Sequence, residues 1–526
     1  MTKPSTPDVF RADIQGLRAI AVLAVLFYHL DVTGFSGGYV GVDVFFVISG
    51  FLITGHLARD AEDRRFSASR FYSRRVRRLL PLSALVFVAT LVATWFLASP
   101  YRARMSSGEG VWVTLFASNM YFLRQQTDYF AATTTPSTFQ HYWSLAVEEQ
   151  FYLVWPWLYL ATRWLARRFG RANSTGASGI LVVMAASFAY AVWLMERSQP
   201  MAFYLLPARA WELGAGGILA LSYKRRANVA VANGALALGV AGIATSVLLY
   251  NETTKFPGIT AVLPVASTVL CLAYGESAGI DNPIAAALRS SPAQTIGRLS
   301  YSIYLWHWPM VVLAGPAGFE LDRWSTVVGI TCAAFVLSYC TERWVERRFR
   351  FARPSRSGAQ PTTALPMFVG IVGSCLALLV AGAAAFDSGR FAAGEAAPII
   401  ASGELPDAIA EQALYSLPSN LYPPLPQARQ IVPSIWSRGC QQEIGFYDPT
   451  PCVVGERGER GERLVVAIVG DSHMAMWEPS IEQLADSGQI TILSYSKSAC
   501  SPTTYRSTPR RTASRSPTVG CARGRL

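Results

Sequence analysis

The stretch Arg11-Ala-Asp13-Ile-Gln-Gly-Leu-Arg18-Ala-Ile-Ala-Val-Leu-Ala-Val-Leu-Phe-Tyr-His29 is apolar from Ala19 to Tyr28 and bounded by Arg18 and His29. Eleven positions at 3.6 residues per turn are about three turns, so Arg18 and His29 share one helix face. At 1.5 Å per residue they lie roughly 16 Å apart, about half the hydrocarbon core of a bilayer. With Arg18 at one membrane surface, His29 is expected near mid-depth. An ionisable group there is costly, which points to function. The pair suits a ligand with an anionic head at the surface and a reactive group reaching inward.

The rest of the chain places this segment in a membrane. Of 526 residues, 51% are hydrophobic and 15% charged, the balance of a polytopic membrane protein. Apolar runs recur at 17–33, 39–58, 79–98, 143–162, 179–195, 204–223, 229–249, 258–275, 299–315, 324–341 and 364–386. The stretch 110–123 is shorter and reads as re-entrant or interfacial. Arginines crowd the connections 59–78, 163–171 and 343–356, with Lys224, Arg225 and Arg226 in another. The alternate connections hold only scattered cations such as Arg102, Arg197 and Lys255. By the positive-inside bias, the reading is about eleven spans, N-terminus cytoplasmic, and residues 387–526 extracytoplasmic. The first segment lacks a small-residue cleavage pattern and is no cleaved signal peptide. The net charge of +12 follows from this inward belt and its contact with anionic lipid, so nucleic acid is not an expected partner. Cys271, Cys332, Cys340 and Cys375 lie in apolar runs and read as packing groups. Cys440, Cys452, Cys500 and Cys521 lie in the exported part, where disulfides form. No Cys/His spacing resembles a zinc site, so no metal is expected.

The organisation that follows is a membrane body over 8–350, a cytoplasmic linker over 351–363, an eleventh span over 364–386 and an Ala/Pro-rich external linker over 387–435. A partial α/β unit occupies 436–504. Its strands are expected at Arg463–Val469 and Gln489–Ser494, with a turn at Gly470-Asp471-Ser472-His473 and a helix over Met474–Ser487. Residues 505–526, rich in Arg, Ser, Thr and Pro, read as a disordered tail or as the out-of-frame end of an interrupted gene.

Five stretches in order resemble the acyltransferase-3 family of bacterial membrane O-acyltransferases. They are Arg18 with His29, Gly37–Leu52 around Asp43, Arg75 and Arg78 in Arg70–Pro81, Glu148 and Glu149 in His141–Leu153, and Ser300–Pro309 with His307. The resemblance covers residues 8–350. It implies transfer of an acyl group, usually acetyl, from cytoplasmic acyl-CoA to a hydroxyl of an extracytoplasmic glycan or glycolipid. Acyl-CoA is then a co-substrate rather than a bound cofactor, and the site is a bacterial inner or plasma membrane.

The residues fit that chemistry. Arg18, Arg75 and Arg78 suit the phosphates of a CoA head through charge-assisted bonds. His29, whose free imidazole titrates near neutrality, is the candidate general base for the acceptor hydroxyl. Glu148 or Glu149 is expected to orient it, as a carboxylate does in a triad. Arg209 and Glu212 are expected to pair with each other, with a substrate contact as the other reading. His307 is expected to line the site without being catalytic.

Gly470-Asp471-Ser472-His473 after a strand is similar to the first block of an SGNH domain, a module often fused to such membrane bodies. In that resemblance Ser472 is the nucleophile, and the Gly470 region helps form the oxyanion hole. The family's late Asp-x-x-His motif is absent, so Asp471 and Ser472 are expected to be vestigial and the segment a fragment. A polytopic transporter or flippase for a polar lipid or glycan, and an inactive remnant, are the competing readings. The absence of an apparent internal repeat weighs against many transporter folds.

Overall fold

The computed structural model describes residues 10–63, 66–98, 100–125, 136–169, 176–222, 228–350 and 364–387, together with four strand segments between 441 and 497. The chain divides into two compact units, Met1–Ala392 and Ala393–Leu526.

The first unit is helical. In chain order its helices are α1 (Ala12–His29), α2 (Gly41–Glu62), α3 (Ala68–Leu97), α4 (Pro100–Thr114), α5 (Ser118–Arg124), α6 (Tyr142–Arg168), α7 (Ala177–Met195) and α8 (Gln199–Tyr204). There follow α9 (Leu206–Ser222), α10 (Val229–Leu249), α11 (Val262–Tyr274), α12 (Pro283–Arg289), α13 (Ser291–Ala314), α14 (Trp324–Thr341), α15 (Arg347–Arg350) and α16 (Leu365–Asp387). Each apolar run of the sequence falls on one of these helices. Among the described residues, seven helical segments are long and apolar enough to cross a membrane. Short polar side chains start several helices. Ser198, Asn228 and Asn282 accept from the backbone N–H of Met201, Ala230 and Ala285 at 3.4, 2.8 and 2.9 Å.

Two boundaries differ from the sequence reading. The first helix begins at Ala12 and stops at His29, five residues before the expected start and four before the expected end. The stop has a local cause: Asp31 takes φ 53°, a left-handed conformation that ends a helix. Arg18 therefore stands more than a turn inside the helix, and His29 is its last residue. The stretch 110–123 is divided between α4 and α5, and Phe116 at φ 52° sits in the break.

The core is built on close backbone contact. The α2 helix packs most extensively on α9, and α1 on α13. At the α2/α9 crossing an added Cβ on Gly50 would stand 1.8 Å from the Leu213 carbonyl oxygen, and one on Gly216 1.9 Å from that of Val47. The two glycines let the helix backbones touch, the packing that replaces the hydrophobic effect where solvent is apolar. Large apolar side chains such as Leu153, Trp157, Val182 and Leu238 lie on the outside.

The second unit is described through its strands: β1 (Gln441–Gln442), β2 (Cys452–Val454), β3 (Leu464–Gly470) and β4 (Ile490–Lys497). Strand β3 runs parallel to β4 with Leu464 opposite Ile490 and Gly470 opposite Ser496. The other edge of β4 takes β2 antiparallel and β1 parallel. The two short strands, β1 and β2, carry too few residues to show an alternating pattern. The turn holding Asp471 and Ser472, the helix expected over 474–487 and the tail 505–526 lie outside the described residues.

Adding a methyl group at the α2/α9 crossing must push backbones apart. Gly50→Ala is expected to destabilise the protein by about 1–3 kcal/mol, as overpacking does. Gly370→Ala is the control, since a Cβ there meets nothing within 4 Å. Thermal melting in detergent compares the two; equal midpoints would show that the crossing tolerates a wider spacing.

Candidate active site

Two helices bring three cations to one place. Arg75 and Arg78 are three residues apart on α3 and so share a face. With Arg18 of α1 they line a cavity of about 110 Å³. The remaining wall includes Ser49 from α2, Glu148 and Tyr152 from α6, and Ser300 and Tyr304 from α13. Arg18 donates to Gln15 Oε1 at 3.1 Å. Its charged neighbours are Arg78, Arg350, Glu148 and Glu346. The Arg75 guanidinium lies over the Tyr152 ring at 4.5 Å. Among the described residues, neither Arg75 nor Arg78 has an ion-pair partner within 4.0 Å. Ser300 is fully buried and its hydroxyl has no partner among the described residues.

Glu148 belongs to this cavity. Its Oε1 accepts from both the Ser49 and the Tyr152 hydroxyls. The expected contact between Glu148 and His29 is therefore absent. The helical rise explains it: Glu148 is seven residues along α6 from His141, about 10 Å, and His141 is the residue of that segment at the level of the His29 cluster. Glu149 does not line the cavity; its charged neighbours are Glu148, Arg75 and Arg78.

His29 lies outside the cavity wall, in a cluster of three histidines. Its Nδ1 is 3.0 Å from His307 Nε2, and its ring meets Trp308 edge-on at 4.5 Å. His307 is fully buried and its Nδ1 is 3.0 Å from the Ile303 carbonyl oxygen. His141 Nε2 is 3.1 Å from the Leu305 carbonyl oxygen, and its ring centroid is 6.1 Å from that of His307. Tyr304 stands between cluster and cavity. Its ring is 5.5 Å from that of His307. Its hydroxyl meets Ser144 Oγ at 2.6 Å and donates to the His141 carbonyl at 3.0 Å. The wall between the cation-lined cavity and the histidines is thus one side chain thick.

A second charged group is closed off. Arg209 Nη1 is 2.9 Å from Glu212 Oε1, one turn along α9, and Nη2 donates to Asp43 Oδ1 of α2 at 3.1 Å. The Glu212 contact lacks hydrogen-bond alignment. All three side chains are buried. The guanidinium is boxed by the rings of Phe46, Trp143, Phe203 and Phe256 at 5.5–5.9 Å. None of the three lines the cavity, so this group ties α2 to α9.

The sequence reading missed Ser49, Tyr152, Ser300, Tyr304 and the role of His141, although each stands inside a quoted motif. No ionisable pattern marks a serine or tyrosine as part of a cavity; only packing does. Among the described residues no cluster of His, Cys, Asp and Glu has metal-holding geometry.

Comparison with known proteins adds two family matches. Residues 11–343 match an acyltransferase domain. Residues 439–523 match an SGNH domain of the kind fused to such acyltransferases. Relatives include the peptidoglycan O-acetyltransferase OatA of Listeria monocytogenes, 28% identical over 64% of this chain and 55% of its own length. Others are the putative peptidoglycan O-acetyltransferase YrhL of Bacillus subtilis, 31% identical over 62% and 53%, and the O-acetyltransferase OatA of Staphylococcus aureus, 29% identical over 57% and 50%. The chain spans about half the length of these curated relatives. No solved structure matches.

The buried Arg209 group makes a direct prediction. Arg209→Leu leaves Asp43 and Glu212 buried without their cation, and breaking a buried pair this way costs about 3–5 kcal/mol. The variant is expected to accumulate poorly and to melt far below the native protein in detergent. Native-like melting would sink the idea that these charges hold α2 on α9.

Proposed function

The chain belongs to the acyltransferase-3 family, and we propose that it moves an acetyl group from cytoplasmic acyl-CoA to a hydroxyl of a cell-envelope glycan. The names of its relatives make peptidoglycan the first acceptor to test. In this reading the body crosses the membrane about eleven times, with the N-terminus cytoplasmic. Residues 387–526 lie outside, next to the glycan.

The observation that carries the reading is the cavity with three guanidinium groups, none of them with an ion-pair partner among the described residues. Charged groups inside a bundle are normally paired. Arginines left facing a cavity suit phosphate, which they bind with charge-assisted, often bidentate, bonds. Arg18, Arg75 and Arg78 would hold the phosphates of the donor. Its thioester arm would run along α1 and past Tyr304 toward His29. The Ser300 hydroxyl is placed to bond to a polar group on the way. Glu148, through Tyr152, would fix the ring on which Arg75 rests.

At His29 the acceptor hydroxyl loses its proton to the imidazole as its oxygen bonds to the thioester carbonyl carbon. The carbon–sulfur bond then breaks and the imidazolium returns the proton to the departing thiolate. Base and acid are the same group, and the protein ends as it began.

Donor binding tests the first half. The double variant Arg75→Ala/Arg78→Ala should lose most of its affinity for acetyl-CoA, because each charge-assisted bond contributes about 1.5–3 kcal/mol. Protection of the purified protein by CoA against heating gives the readout. Protection undiminished in the double variant would remove the cavity from the argument.

Base catalysis tests the second half. His29→Ala should reduce glycan acetylation by about 10²–10⁴-fold while acetyl-CoA still protects the protein from heat. Native acetyl content in the envelope of cells carrying only His29→Ala would refute the assignment.

A further inference from the structure

We propose that His307 is the positioning residue of this site, fixing the proton on His29 Nδ1 so that Nε2 is the basic nitrogen. The inference rests on the acyl-transfer reading above and deepens it. It replaces the carboxylate expected from the sequence with a neutral imidazole.

The hydrogen bonds set the tautomers in order. A backbone carbonyl only accepts, so His307 Nδ1, 3.0 Å from the Ile303 oxygen, must carry a hydrogen. His307 is fully buried. Among the described residues, the groups that face it are His29, His141, Tyr304 and the Ile303 carbonyl, with no carboxylate among them. An uncompensated buried cation is costly, so the uncharged ring is the one that fits. Its Nε2 then holds a lone pair. The 3.0 Å contact to His29 Nδ1 needs one hydrogen, and only His29 can supply it. His29 Nδ1–H therefore donates to His307 Nε2, and the lone pair of His29 is on Nε2.

The rest of the cluster holds this arrangement. Trp308 packs edge-on against the His29 ring at 4.5 Å, and its Nε1–H donates to the Ser137 carbonyl at 2.8 Å. His141 Nε2–H donates to the Leu305 carbonyl at 3.1 Å, one residue pair along α13 from the Ile303 anchor. Two histidines are thus locked to carbonyls of the same helix. When His29 takes the proton from the acceptor hydroxyl, its Nδ1–H stays on His307. When it returns the proton to the thiolate, the same tautomer is restored. A free imidazole would split between two tautomers and two ring orientations. In hydrolases the third member of a triad removes that choice.

Two substitutions separate the two nitrogens of His307. Glutamine places its amide near the Nε2 position and can accept from His29, while giving up the Ile303 anchor. Asparagine places its amide near the Nδ1 position and can keep the Ile303 anchor, while giving up His29. Acetyl-CoA is supplied to inverted membrane vesicles and acetyl on the glycan fraction is counted. H307Q is expected to keep kcat within about tenfold of native and H307N to lose about 10²-fold, the lower end of what a general base contributes. The KM for acetyl-CoA should be unchanged in both, since the cations of the donor cavity are untouched. Equal kcat in the two variants, or a more active H307N, overturns the proposal: a packing role would depend on the Ile303 anchor. His29→Ala serves as the reference. If it retains activity, the acyl-transfer reading and this one fall together. If it is inactive while H307Q and H307N match, only the role of His307 falls.

Discussion

A charged side chain carried into a helical bundle must be answered by another polar group, and in this protein that constraint sorts the interior into two sites. Arg209 is answered from within. Asp43 and Glu212 meet it, and four aromatic rings surround it. Arg75 and Arg78 are not answered by an ion pair among the described residues, and they face a cavity. The first arrangement holds α2 against α9. The second leaves favourable energy available to an anion.

The scaffold makes these placements sharp. Backbones in contact at Gly50 and Gly216 cannot slide without opening the crossing. The α1 helix lies against α2 and α13. It therefore acts as a ruler, with Arg18 at the cation cavity and His29 three turns away beside His307. Tyr304, bonded to Ser144 and the His141 carbonyl, divides the two ends of that ruler. That one ring lies between the cation-lined cavity and His307.

Much of this was legible in the residues. The apolar runs marked the helices because a bilayer-spanning helix needs about 20 apolar residues. The pairing of Arg209 with Glu212 was legible because three residues along a helix bring side chains together. The phase of Arg18 and His29 followed from helical pitch. The boundary of α1 was not legible, since Asp31 turns left-handed in a way that no local pattern announces. Nor was the break at Phe116.

The partner of His29 shows where the division falls. The sequence by itself determined which side chains can do chemistry and which of them lie in phase on one helix, because helical periodicity is a property of the local chain. It offered two carboxylates, Glu148 and Glu149, as partners for the imidazole, since carboxylates are the usual ones. Only the tertiary structure decided that Glu148 turns to Ser49 and Tyr152 while His307 meets His29. The physical reason is that residues on α1, α6 and α13 are far apart in the chain. Which levels of those helices meet is set by their packing, and local sequence carries no record of it.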